Sequence, residues 1–261
     1  MEDLKKGLPM QPVLQNFEQG VLTLTLNRVD KKNALTAEMY GMLADALTAA
    51  QANPDVRVVV LQGHETVFSA GNDIADFLQQ PPATADSPVS RFLRGVAVFP
   101  KPLMAAVCGP AVGVGTTLLL HCDLVYAGDN AAFSMPFVNL GLCPEAASSM
   151  LAVQLMGYQR AAEALLMGEP FMVETALELG LVSRVLPPAE VHAYAQSQAQ
   201  KMARKPLSSL LETKRLMKAA RIPSVLTQMD EEAKVFSRML KEPAAMEAFS
   251  AFMEKRKPVF S

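Results

Sequence analysis

The sequence has no tryptophan, and only three of its 261 residues are cysteine. Cys108, Cys122 and Cys143 are odd in number and lack the spacing of metal ligands, so neither a disulfide framework nor a zinc site is expected. They read as small, reduced, buried side chains of a cytoplasmic protein. Strong charge of either sign is also missing. The formal net charge is −2 and there is no basic run, which excludes the electrostatic footprint of a nucleic-acid binder. No apolar run is long enough to cross a membrane. Met1-Glu-Asp-Leu-Lys-Lys has no apolar signal region, and Pro258-Val-Phe-Ser261 is not a peroxisomal address. The expectation from these absences is a cytoplasmic protein with no membrane partner and no metal.

Hydrophobic residues make up 50% of the chain, ample for a globular core. The sixteen methionines suit either core filling or an irregular apolar pocket. Val13–Phe17 and Val21–Leu26 read as strands joined at Gly20. Thr36 caps a helix whose apolar face is Met39, Leu43, Ala46 and Leu47. Val56–Leu61, Leu103–Cys108, Asp123–Ala127 and Leu181–Leu186 are short apolar runs typical of strands buried on both faces. Residues 79–88, rich in Pro, Ala and Ser, read as a mobile loop that covers a site. After Pro187-Pro188 the sequence is helical throughout, each segment starting near a proline. The chain is therefore expected to divide into an α/β core, residues 1–187, and a helical region, residues 188–261.

Two turns and one carboxylate carry chemistry. Phe68-Ser69-Ala70-Gly71-Asn72-Asp73 is a small-residue turn opening into a helix at Ile74. There, backbone N–H groups can approach a ligand closely. Gly109-Pro110-Ala111-Val112-Gly113-Val114-Gly115 joins a strand to a helix start, a nest of N–H donors at a positive helix end. It matches neither the dinucleotide nor the P-loop spacing. Glu145 is the single charged residue between Asn130 and Gln159. Burying it there raises its pKa and makes it a better base at neutral pH. Pro144-Glu145 also reads as a plain helix start, with Pro at the first position and Glu facing the positive end.

These segments, with Asn27-Arg28…Lys32-Asn33-Ala34-Leu35 and Ala245–Lys257, resemble the crotonase (enoyl-CoA hydratase/isomerase) superfamily over nearly the whole chain. The resemblance implies an α/β spiral of repeated ββα units and a C-terminal all-helical trimerisation region. It implies a homotrimer or dimer of trimers and an acyl-CoA thioester substrate, with no separate cofactor. It places an oxyanion hole at the backbone N–H groups of Asn72 and Val114. CoA and substrate contacts are implied at Arg28, Lys31, Lys32, Ser69, Ala70, Gly71, Asn72, Asp73, Ile74, Phe137, Leu140, Phe252 and Lys255, the last two toward a neighbouring subunit. The two catalytic glutamates of hydratases are matched by Thr117 and Phe137. The run Pro136-Phe137…Leu140-Gly141…Pro144-Glu145 is instead similar to peroxisomal-type Δ3,Δ2-enoyl-CoA isomerases, in which one Glu at the position of Glu145 shuttles the proton. Another crotonase reaction such as hydration, or a non-catalytic acyl-CoA-binding module, are the alternatives.

Overall fold

The computed structural model describes residues 11–79 and 86–260. The chain begins with the hairpin β1 (Val13–Glu18) and β2 (Val21–Leu26). Gln19 and Gly20 take φ of 49° and 79°, the left-handed pair that matches the twist of a two-residue hairpin. Helix α1 (Ala37–Ala52) follows, and the Thr36 hydroxyl caps it by accepting from Met39 N–H at 3.3 Å. Then come β3 (Val58–Gln62), α2 (Ile74–Gln79), α3 (Pro88–Val98), β4 (Leu103–Val107), β5 (Pro110–Val112), α4 (Val114–Thr117), β6 (Leu124–Gly128) and β7 (Ala132–Ser134). The rest is α5 (Ser148–Met156), α6 (Tyr158–Ala162), β8 (Phe171–Met172), α7 (Val173–Glu178), β9 (Arg184–Leu186), α8 (Pro188–Ala203), α9 (Leu207–Ala219), α10 (Ile222–Met239) and α11 (Pro243–Met253).

The main sheet has the order β1-β2-β3-β4-β6-β9, and every pairing after the β1–β2 hairpin is parallel. A second layer is made of short pieces: the sheet β5-β7-β8, extended by isolated bridges at Ser69–Ala111 and Leu35–Asn72. Each central strand of the first layer thus feeds a short stretch in the second. β3 leads to Ser69–Asn72, β4 to β5, and β6 to β7. This is the expected recurrence of two strands and a helix.

Both faces of the main sheet are buried, so its strands are continuously apolar rather than alternating. Val59, Leu61, Leu103 and Ala105 face one cluster with α1 and α3. Val58, Val60, Met104 and Ala106 face another, closed by Val191, Ala195, Ala199 and Ala203 of α8. The i, i+4 spacing of small residues lets α8 lie flat on the strands. Residue 187 is accordingly no gap in the packing. The first C-terminal helix belongs to the core, and α10 packs against α3.

Several expectations need correction. Pro144-Glu145 does not start a helix. α5 begins at Ser148, and Ala146 and Ala147 before it take φ of 59° and 56°. The helix after the 109–115 turn already starts at Val114 and tightens to a 3-10 turn at Leu118–His121. The last strand is only Arg184–Leu186. Most of the loop expected over 79–88 falls outside the described residues.

Candidate active site

Two turns are pressed together by backbone pairing. Ser69 N–H donates to Pro110 C=O at 3.1 Å, and Val112 N–H donates to Ser69 C=O at 2.9 Å. Gly71, at φ +87°, sits so close to the second turn that a Cβ there would lie 2.9 Å from Val112 C=O. Only glycine fits this position. The buried Ser69 hydroxyl donates to Asn33 C=O at 2.9 Å and accepts from Gly71 N–H at 3.1 Å. It locks the turn from inside and is not aimed at a ligand.

The pairing decides where two N–H groups point. Leu35 N–H donates to Gly71 C=O and Asp73 N–H donates to Leu35 C=O, both on one side of the extended segment. The Asn72 N–H between them faces the other way. In the neighbouring turn Gly113 C=O accepts from Thr116 and Thr117 N–H, each at 2.9 Å. Val114 N–H is in the first turn of α4, where the helix supplies no acceptor. The side chain of Asn72 is fixed as well, since Tyr40 O–H donates to its Oδ1 at 2.5 Å.

Glu145 lines a cavity of about 520 Å³ together with Asn72. The apolar walls are Phe77 of α2, Val89 and Leu93 of α3, and Met229 and Phe236 of α10. Thr117 O–H donates to Glu145 Oε1 at 2.8 Å. Burial pushes the Glu145 carboxyl up to about 7, against the opposing pull of that hydrogen bond and with a smaller push from Glu232. A carboxyl poised there exchanges its proton readily at neutral pH.

The turn that carries Glu145 is held from two sides. The buried Glu232 carboxylate on α10 accepts from Ala147 N–H at 2.6 Å, from Ser149 N–H at 3.0 Å, and from Ser149 O–H. His121 Nε2 lies 2.8 Å from Ala146 C=O. Burial lowers the His121 pKa to about 4, so the ring is neutral, and facing a carbonyl its Nε2 must carry the proton. The sequence reading missed Thr117 as a partner of Glu145, and it missed both Glu232 and His121. A signal for Glu232 was available. Val225, Met229, Glu232 and Phe236 are spaced as one helical stripe, and Glu232 is the charge on an otherwise apolar face.

The other candidates fall into two groups. Ala70, Asp73 and Ile74 belong to the turn around Asn72. Asp73 is tied to Arg28 by an ion pair of 2.7 Å and accepts from Asp76 N–H at 3.2 Å, which starts α2. Arg28 also donates to Ala34 C=O at 3.0 Å, so it braces the turn. Lys31 and Lys32 are exposed on the loop beside it, and Lys32 C=O accepts from Ala70 N–H at 2.9 Å. Phe137 and Leu140 sit in the apolar cluster behind the cavity, with Phe77 and Phe236. Phe252 and Lys255 lie apart, exposed at the end of α11. Among the described residues no three His, Cys, Asp or Glu side chains converge as a metal site requires.

Comparison with known proteins decides the family. The model of a family described as "Enoyl-CoA hydratase/isomerase" matches residues 16–261. The chain belongs to the enoyl-CoA hydratase/isomerase family. Its fold is similar to that of Pseudomonas aeruginosa OdaA, with a TM-score of 0.91, 48% identity, and coverage of 94% of this chain and 99% of that one. It is 32% identical to 2,3-dehydroadipyl-CoA hydratase of Escherichia coli, over 96% of this chain and 99% of that protein. It is 36% identical to rat enoyl-CoA delta isomerase 2, over 82% of this chain but only 56% of that longer protein. The family includes hydratases and isomerases, so the choice of reaction rests on the site.

Proposed function

We propose that the protein is an acyl-CoA isomerase that moves the double bond of a 3-enoyl-CoA to give the trans-2-enoyl-CoA. Glu145 is the single acid/base. It takes a proton from C2 of the substrate. The electrons spread through the C3–C4 double bond and the thioester as a dienolate, whose oxygen accepts from Asn72 N–H and Val114 N–H. Glu145, now neutral, returns the proton to C4. One group suffices because the proton enters and leaves the same face of one molecule. No water is consumed.

The observation that carries this reading is the contact between Thr117 and Glu145. Thr117 stands where hydratases carry one catalytic glutamate, and Phe137 stands where they carry the other. At those two positions there is no second carboxylate; Thr117 gives Glu145 a hydroxyl donor, and Phe77, Val89, Leu93, Met229 and Phe236 give the cavity apolar walls. Excluding water from the dienolate also limits hydration of the product. The preorganised donors supply the larger share of the acceleration, each worth on the order of 10²–10³ in rate. CoA lies against the outer side of the turn at Ala70–Ile74, and Lys31 and Lys32 meet its phosphates. Phe252 and Lys255 reach toward the CoA of a neighbouring subunit in a trimer or a dimer of trimers.

Hydration is the second reading, favoured by the similarity to a dehydroadipyl-CoA hydratase along its full length. Mass analysis of products separates the two. Isomerisation conserves mass, and hydration adds one water to give a 3-hydroxyacyl-CoA. The proposal expects a trans-2-enoyl-CoA product from the native protein. From Glu145→Gln it expects no product, with acyl-CoA binding within a few-fold of native. A 3-hydroxyacyl-CoA as the main product, or native turnover in Glu145→Gln, contradicts it.

A further inference from the structure

Ala146 and Ala147 both adopt left-handed backbone, at φ of 59° and 56°, a conformation that the alanine Cβ disfavours. Such a pair persists only where its surroundings over-determine it. The surroundings are specific. Cys143, Ala147 and Ser149 all contact Glu232: the Cys143 thiol meets its C=O at 3.7 Å, and the other two donate to its carboxylate. Gln228, one turn earlier on α10, donates to the Ser149 hydroxyl at 2.9 Å. Burial pushes the Glu232 carboxyl up, but every polar contact it makes is a donor, and these hydrogen bonds pull the other way and favour the ionised form. Glu232 also lines the same cavity as Glu145.

We propose that Glu232 is the positioning residue for Glu145: its carboxylate spans the N–H groups of Ala147 and Ser149, holds the strained turn that aims Glu145 into the cavity, and keeps a negative charge beside it. The proposal rests on the reading of Glu145 as the base. Two carboxylates facing one cavity would ordinarily suggest two catalytic groups. Here one is consumed by backbone donors and the other is left with a single hydroxyl partner, so their roles differ.

The charge has a readable consequence, because the other ionisable groups around the pair are neutral or compensated. Tyr40 on α1 is buried and its pKa is raised well above 10. Burial pushes the Cys143 thiol up to about 11, and His121 is neutral. On the cavity rim Arg94 of α3 pairs with Asp230 of α10, and Lys234 pairs with Glu231. Arg238, further along α10, pairs with Glu242 at 3.4 Å. Among the described residues, the remaining anion facing Glu145 without a cationic partner is Glu232, whose field raises the Glu145 pKa.

The test compares full-length native protein with Glu232→Gln, Glu232→Asp and Glu145→Gln. The Glu145 carboxyl is titrated by ¹³C NMR, its resonance identified by its loss in Glu145→Gln, and kcat on trans-3-hexenoyl-CoA is measured against pH. In Glu232→Gln the Glu145 midpoint should fall by roughly one pH unit, since a like charge has been removed. Its kcat should fall about ten- to a hundredfold, the scale of a misplaced catalytic group. Glu232→Asp keeps the charge but is one carbon too short to span both N–H groups. It should keep the midpoint and still lose about tenfold in kcat. This variant decides the matter if Glu232→Gln does not fold. An unmoved midpoint in Glu232→Gln, or native kcat in Glu232→Asp, overturns the proposal. Failure of the base reading has a different signature, native turnover in Glu145→Gln; the carboxyl titration needs no turnover and reads the Glu232 contact either way.

Discussion

Glu145 is held against its own solvation. With the carboxyl raised to about 7 from an ordinary value of 4.5, the folded state binds its proton more tightly than the unfolded chain does. Its contribution to stability is therefore fully present below about pH 4.5 and is lost as pH rises through 7. Glu145→Gln should leave stability unchanged at pH 4 and raise it above pH 8, by an amount up to about 3 kcal/mol from the size of the shift. Denaturant melts at the two pH values check this, and an equal effect at both would contradict it. Thr117 acts in the opposite direction, its hydrogen bond favouring the carboxylate. Thr117→Val removes the donor at nearly constant volume. The acid limb of kcat/KM should move to higher pH by roughly half a unit to one unit, and a pH–rate profile checks it. The sequence marked Glu145 because it is a charge in apolar surroundings. It could not mark Thr117 as its partner, because the two are 28 residues apart and meet only when α4 and the turn before α5 face one cavity.

At the scale of elements, the site is the junction of two turns. Each turn follows a strand of the main sheet, and the bridge between Ser69 and Ala111 sets their relative position. Gly71→Ala would place a Cβ against Val112 C=O and an alanine at φ +87°. It should cost about 1–3 kcal/mol in stability and lower kcat more than it raises KM, because it moves one of the two proposed oxyanion donors relative to the other. Steady-state kinetics and a thermal melt on the same preparation check both parts. The small residues of these turns were legible in the sequence. The short strands β5 and β7 were not, because three residues are too few to show a period. The turn before α5 was misread for a related reason. Pro144-Glu145 carries the ordinary marks of a helix start, and the left-handed alanines that displace the start to Ser148 are imposed by Glu232 and His121, which are distant in sequence.

For the whole molecule, the C-terminal helices complete both the core and the site. α8 closes the second face of the sheet, while α10 supplies Met229, Glu232 and Phe236 to the cavity. Pro187-Pro188 was legible as a change from mixed to helical sequence, and that change is real. It does not mark an independent unit, since composition says nothing about which surface a helix covers. Phe236, whose ring meets Phe77 edge-on at 6.1 Å, should be a point where stability and substrate range trade. Phe236→Ala should destabilise the protein by about 3 kcal/mol and shift preference toward bulkier acyl chains, read as kcat/KM across a series of 3-enoyl-CoA substrates.

The central claim is that Glu145 alone moves the proton. The most direct measurement is absorbance at the conjugated enoyl-thioester band after mixing with trans-3-hexenoyl-CoA, with native protein and Glu145→Gln run side by side. The account predicts a rise with the native protein and a flat trace with the variant. A rise of equal rate in both would contradict it.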